Sequence, residues 1–107
     1  MIKIIIDEQS GRISSFEMKG HADFAEHGKD LVCAGASAVS FGAVNAVIAL
    51  TGVTPDIQQG SDGGYLKVIF PETEKDDEIQ LIVKAMIVSL QTIEQDYGQH
   101  IKIIFNR

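Results

Sequence analysis

Two residues of this 107-residue chain could do chemistry together: His21, directly after Gly20, and Cys33, the single cysteine. A thiol is a strong nucleophile once ionised, and an imidazole can take up its proton. The surrounding run, Asp30-Leu31-Val32-Cys33-Ala34-Gly35-Ala36-Ser37, suggests how that thiol is set. If Asp30 caps a helix, Cys33 lies in the first turn, where unpaired N–H groups and the helix dipole favour an anion and lower a thiol pKa. An ordinary thiol is only a few per cent ionised at pH 7, so a fall of about 1.5 pKa units would ionise half of it. Asp30 works the other way, since a nearby carboxylate raises a thiol pKa, and its charge is expected to be directed to His21 or to backbone donors. Ser37, four residues after Cys33, shares its helix face and either bonds the thiolate or substrate or simply packs.

Singly, these residues have plainer readings. A lone cysteine cannot form an internal disulfide and is commonest as a small buried hydrophobe in a reducing compartment. A single histidine beside a loop is commonest as a surface residue. A metal site built from His21, Asp23, His27, Cys33 and His100 lacks His-Glu-x-x-His or paired-cysteine spacing, so neither a metal nor another cofactor is expected.

The elements that must position the pair follow from periodicity. Ile2, Ile4 and Ile6 alternate with polar residues, and after Gln9-Ser10-Gly11 a run from Arg12 to Lys19 puts Phe16 and Met18 on one face, which predicts a β-hairpin. Strand parity then points Gly20 inward and His21 outward, but the freedom of Gly20 can turn the imidazole toward the helix start. From Gly20 to Lys29 the pattern stops, giving a loop longer than a turn needs. A helix of small residues is expected from the Asp30 cap to about Leu50, ended by Gly52 and Pro55. Strands are expected at Ile57 to Gly60 and Tyr65 to Phe70, around Ser61-Asp62-Gly63-Gly64. A second helix opens near Thr73, with Asp76, Asp77 and Glu78 at its positive end and an apolar stripe of Ile79, Ile82, Val83, Met86, Ile87, Leu90, Ile93 and Tyr97. Gly98 stops it, and Ile101, Ile103 and Phe105 alternate in a last strand. The expected architecture is α+β, a two-layer sandwich in the order β-β-α-β-α-β, with two helices on a mostly antiparallel sheet.

Hydrophobic residues make up 45% and charged residues 22% of the chain, which suits one globular domain over residues 1–107. A net charge of −6 argues against direct nucleic-acid binding and favours a basic partner. The apolar stretch from Ala34 to Val53 is interrupted by Ser37, Ser40, Asn45 and Thr51, so a core helix is expected rather than a membrane span. No signal peptide is evident in Met1 to Asp7, and a cytoplasmic location is expected. Two helices cannot readily cover both faces of a small sheet, from which a homodimer is expected.

Gly20-His21-Ala22, Gly28, Asp30, Val32-Cys33-Ala34 and Ser37 together resemble the motif of the bacterial ribosomal-processing cysteine protease family, Prp, and the resemblance extends over essentially the whole chain. Gly35 is a mild departure, since the family usually has alanine there. The resemblance implies an endopeptidase that removes an N-terminal extension from the bacterial large-subunit ribosomal protein numbered twenty-seven. In it Cys33 is the nucleophile and His21 the base, with Asp30 and Ser37 supporting. Backbone N–H groups at the helix start are candidate oxyanion donors. The loop after Gly20 is then a lid, with Ala22 and Phe24 in its apolar part, Gly28 as hinge, and Phe24 able to cover a substrate pocket. The implied substrate is a precursor with an apolar extension ending in an aromatic pair. The alternative class is a non-catalytic, ribosome-associated α+β binding module whose cysteine packs in the core. Rapid iodoacetamide labelling of Cys33 at pH 6 would speak for the protease.

Overall fold

The computed structural model describes residues 1–61 and 63–107, so Asp62 of the predicted turn lies outside the described residues. Strands β1 (Ile2–Gln9) and β2 (Arg12–Lys19) form the expected hairpin, followed by α1 (Leu31–Thr51), β3 (Asp56–Gln59), β4 (Tyr65–Ile69), α2 (Asp76–Tyr97) and β5 (Ile101–Asn106). The sheet order is β3-β4-β2-β1-β5. Pairings β1·β2, β2·β4 and β3·β4 are antiparallel, while β1·β5 is parallel, with Ile2 opposite Ile101 and Ile6 opposite Phe105. The fold is the predicted α+β arrangement on a mixed sheet.

The core lies between sheet and helices. Ile2, Ile4 and Ile6 from β1 and Leu66 and Val68 from β4 meet Val32, Ala36, Val44 and Val47 of α1 and Ile79, Val83, Met86 and Leu90 of α2. The buried positions of α1 recur at three- or four-residue spacing, which makes it a core helix by one face. Its other face is made of small residues with Ser37 and Asn45 among them, and Leu31 and Leu50 at its ends are exposed. By length and composition alone α1 could also cross a membrane. Gly35 lies near α2, where an added Cβ would meet Ile93 Cδ1 at 3.5 Å, an ordinary contact that alanine could keep.

Two features depart from simple alternation. The β1·β2 register slips between Asp7 and Glu8, leaving Ser14 as an extra residue on β2, so Ile13 and Phe16 are both buried despite their odd spacing. On its other edge β2 pairs with β4 only as far as Ser15 opposite Ile69, which leaves the Ile13 backbone without a strand partner on that side. Buried Gln80 of α2 supplies one: its Oε1 accepts the Ile13 N–H at 2.7 Å and its Nε2 donates to the Ile13 carbonyl at 2.8 Å. Helix α2 also starts later than predicted, because Thr73 forms a turn of its own, Oγ1 accepting from the Lys75 N–H and the carbonyl from the Asp76 N–H. Asp76 is then clamped by the Arg12 guanidinium through two contacts of 3.1 Å.

Candidate active site

The site is assembled where the end of β2, the start of α1 and the β3–β4 turn converge. Gly20 ends β2 with φ +92°, and a Cβ there would run into the Met1 carbonyl oxygen, so the position requires glycine both conformationally and sterically. Its N–H donates to the Gly64 carbonyl at 3.0 Å, which ties the start of the loop to the far hairpin.

Asp30 organises the rest, as the predicted N-cap and more. Its Oδ1 accepts the N–H groups of Val32 and Cys33, each at 3.0 Å, and its Oδ2 accepts those of Phe24 at 3.0 Å and Ala25 at 3.3 Å. One carboxylate thus caps α1 and folds the preceding loop over it. Partial burial raises the Asp30 carboxyl, but the N–H groups of Cys33, Phe24 and Ala25 and the Cys33 thiol outweigh it and hold the pKa below its ordinary value. Its charge goes to backbone donors and not to His21.

Cys33, half-buried in the first turn, accepts the Ala22 N–H on Sγ at 3.3 Å. Burial pushes the thiol pKa up; the Ala22 N–H opposes this, while the negative charges of Asp30 and Asp23 add to it. This reverses the shift expected from a helix N-terminus, chiefly through burial and then through the nearby carboxylates. The N–H groups of Val32 and Cys33 that would favour a thiolate are already taken by a carboxylate. Of the helix-start N–H groups proposed as oxyanion donors, those of Val32 and Cys33 are thus engaged by the carboxylate and that of Ala34 by the Asp30 carbonyl at 3.0 Å.

Cys33, His21, Asp30 and Ser37 all line one cavity of about 570 Å³. Its apolar wall comes from Ile2, Met18, Phe41 and Leu66, and its far rim from Gln59, Gly60, Gly63, Gly64 and Tyr65. The exposed His21 ring is not hydrogen-bonded to Cys33 or Asp30 among the described residues. Gly28, φ +86° and open on its Cβ side, also lines the cavity, as do Asp23 and His27. Among the described residues, no three His, Cys, Asp or Glu side chains gather as a metal site would require.

Phe24 stands elsewhere than expected. It does not line the cavity but packs edge-on against Tyr97, centroids 5.4 Å apart, and His100, 5.3 Å apart. Ala22 is buried, and His100 Nδ1 lies 3.0 Å from its carbonyl oxygen. The loop's first half is therefore anchored to the α2–β5 turn, an attachment invisible to local spacing because its partners are more than 70 residues away. The far rim was legible only as a glycine-rich turn, not as a cavity wall.

A family model described as cysteine protease Prp matches residues 1–102. The chain is 56% identical over 97 residues to the ribosomal processing cysteine protease Prp of Bacillus subtilis, spanning 88% of this chain and 87% of that protein. The crystal structure of the essential Staphylococcus aureus ribosomal processing protease Prp with a covalently linked product peptide superposes with a TM-score of 0.95 at 46% identity, over 99% of this chain and 100% of that one. The same S. aureus protease with a substrate peptide gives 0.88 at 45% identity, again over 99% and 100%. On these matches the chain belongs to the Prp cysteine protease family and is a cysteine peptidase.

Proposed function

We propose that this peptidase removes the N-terminal extension of the bacterial large-subunit ribosomal protein numbered twenty-seven, with Cys33 as nucleophile and His21 as general base. The observation that carries the reading is the shared cavity: the chain's single thiol and an exposed imidazole face the same space, walled on one side by Ile2, Met18, Phe41 and Leu66. Relatives named as ribosomal processing proteases, one of them crystallised with a covalently linked product peptide, support it further.

In this mechanism the peptide lies extended between the loop after Gly20 and the β3–β4 turn. Because the thiol pKa is pushed up, Cys33 rests protonated at neutral pH, and His21 takes the proton as sulfur attacks the scissile carbonyl. The same imidazole then protonates the leaving amine, and water hydrolyses the thioester. His21 lines the same cavity as the sulfur, and catalytic contacts commonly tighten only when substrate binds. Asp30 holds the loop and helix start in register, and Ser37, one turn along α1, faces the same space. Gly28 serves as the hinge of the outer part of the loop. Asp23 and Asp30 with no Lys or Arg on the lining suit a precursor whose body is basic.

The reading places the enzyme in the cytoplasm and as a homodimer. The outer face of the sheet carries Lys3, Glu17, Lys19, Lys67 and Lys102 but also the exposed Ile69 and Ile104, and this uncovered face is the surface that gains from a second copy. Light scattering at tens of micromolar should give twice the chain mass, and a monomer mass overturns this part. Incubation with purified precursor tests the whole: release of the extension is expected, and an intact precursor beside folded enzyme refutes the assignment.

A further inference from the structure

We propose that His100 is a positioning residue for the reaction: by holding the Ala22 carbonyl it presents the Ala22 N–H to the Cys33 sulfur and, after attack, to the oxyanion. This rests on Cys33 being the nucleophile. Several backbone donors around the sulfur are already engaged. Asp30 consumes the N–H groups of Phe24, Ala25, Val32 and Cys33 through its carboxylate and that of Ala34 through its carbonyl. Ala22 differs: its N–H points at Sγ from 3.3 Å. In the tetrahedral adduct the sulfur and the oxyanion are bonded to one carbon, so a donor aimed at the sulfur is a small displacement from the oxygen. Donors fixed before charge develops are the ones that stabilise it most.

What fixes Ala22 is His100. The Ala22 carbonyl faces His100 Nδ1 at 3.0 Å, a bond donated equally by the neutral ring with its proton on Nδ1 and by the imidazolium. His100 is itself held at the α2–β5 turn. Its N–H donates to the Tyr97 carbonyl at 2.8 Å, and its carbonyl accepts the Ile2 N–H at 2.9 Å. Phe24, two residues past Ala22, closes the arrangement edge-on against the His100 ring. A continuous set of contacts therefore runs from the end of α2 through His100 and Ala22 to the nucleophile, while His100 itself stays off the cavity lining.

Two variants separate hydrogen bonding from packing. His100→Phe keeps a ring against Phe24 and removes the donor; His100→Asn loses the ring and sets an amide N–H where Nδ1 stood. On a peptide spanning the cleavage junction, H100F should lose about tenfold or more in kcat with KM little changed, and H100N should recover most of it. Iodoacetamide alkylation of Cys33 across pH supplies a readout independent of proteolysis. Asp30, Asp23, His21, His27 and Tyr65 line the same cavity and are the same in both variants, so a change reports the Ala22 contact. Loosening the Ala22 N–H contact, which lowers the thiol pKa, should move the H100F alkylation curve to higher pH, with the H100N curve near wild type. Melting curves establish folding; if H100F does not fold, H100N alone decides, wild-type behaviour supporting the proposal and impairment overturning it. Wild-type kcat and alkylation in folded H100F, or H100N no better than H100F, also overturn it. Failure of the wild-type enzyme to cut the precursor would instead undo the substrate reading, and the alkylation curves would still report the Ala22–Cys33 contact.

Discussion

Asp30 Oδ1 accepts the backbone N–H of Cys33 at 3.0 Å, so the anion seated at the start of α1 is a carboxylate and not the thiolate. That arrangement makes loop geometry and helix capping depend on one side chain.

Replacing Asp30 should therefore separate two effects. Asp30→Asn keeps an oxygen for the cap but presents an NH₂ group where Phe24 and Ala25 need an acceptor, so cleavage should fall while the helix survives. Asp30→Ala should lower both activity and melting temperature further. Because the folded carboxyl titrates below its ordinary value, its stabilisation is present above the ordinary carboxylate range and is lost as pH falls through the lower folded value. The gap in melting temperature between wild type and Asp30→Asn should thus narrow in acid. A gap independent of pH, or wild-type cleavage by both variants, would contradict this role.

The raised Cys33 thiol makes a prediction opposite to the one drawn from helix position alone. Iodoacetamide labelling of the free enzyme should be slow at pH 6 and accelerate only above the ordinary thiol range. His21→Ala should cost about a hundredfold or more in kcat/KM while leaving that labelling curve nearly unchanged, since the imidazole engages the sulfur only with substrate bound. Unchanged cleavage would move the base to His27, which lines the cavity, rather than to His100, which is bonded to Ala22.

Gln80 should prove a stability residue with no part in the chemistry. Gln80→Leu strands the Ile13 N–H and carbonyl in the core beside the β2 bulge, and each unsatisfied group costs about 1–3 kcal/mol. Denaturant unfolding should show a loss of about 2 kcal/mol or more, with kcat/KM of the remaining folded enzyme near wild type. A variant as stable as wild type would mean that water replaces the amide.

What the sequence carried and what it hid divides along the distance between partners. The β1–β2 hairpin, the Asp30 cap and the Gly52 stop are local patterns, and each was legible from spacing or from a residue suited to one backbone role. The Ser14 bulge was not, because Ile13 and Phe16 look out of phase until their partner strand is known. The parallel β1·β5 pairing joins Ile2 to Ile101, and no local signal specifies it. The motif singles out Cys33 and His21 as candidates, but the direction of the thiol shift depends on burial and on the carboxylates nearby. An apolar Phe24 in a loop reads as the cover of a pocket; Tyr97 and His100, brought alongside by the fold, claim it instead.

Substrate recognition should rest on the apolar wall of Ile2, Met18, Phe41 and Leu66. Replacing the aromatic residue before the cut by alanine forfeits about 2–3 kcal/mol of burial and should lower kcat/KM about thirtyfold or more. Neutralising one distant lysine of the peptide in moderate salt should matter far less, because exposed charges are screened. Cleavage assays on the two altered peptides decide it. Equal losses, or a larger loss from the lysine, would favour recognition by charge.

Whether Cys33 performs the bond cleavage is read from the intact mass of the precursor ribosomal protein after incubation with wild-type enzyme or with Cys33→Ala. The substitution removes one sulfur from a half-buried position and should leave the circular dichroism spectrum and melting curve close to wild type. Wild-type enzyme should release the N-terminal extension and folded Cys33→Ala none; turnover of the precursor by Cys33→Ala at the wild-type rate would show that another group performs the cleavage.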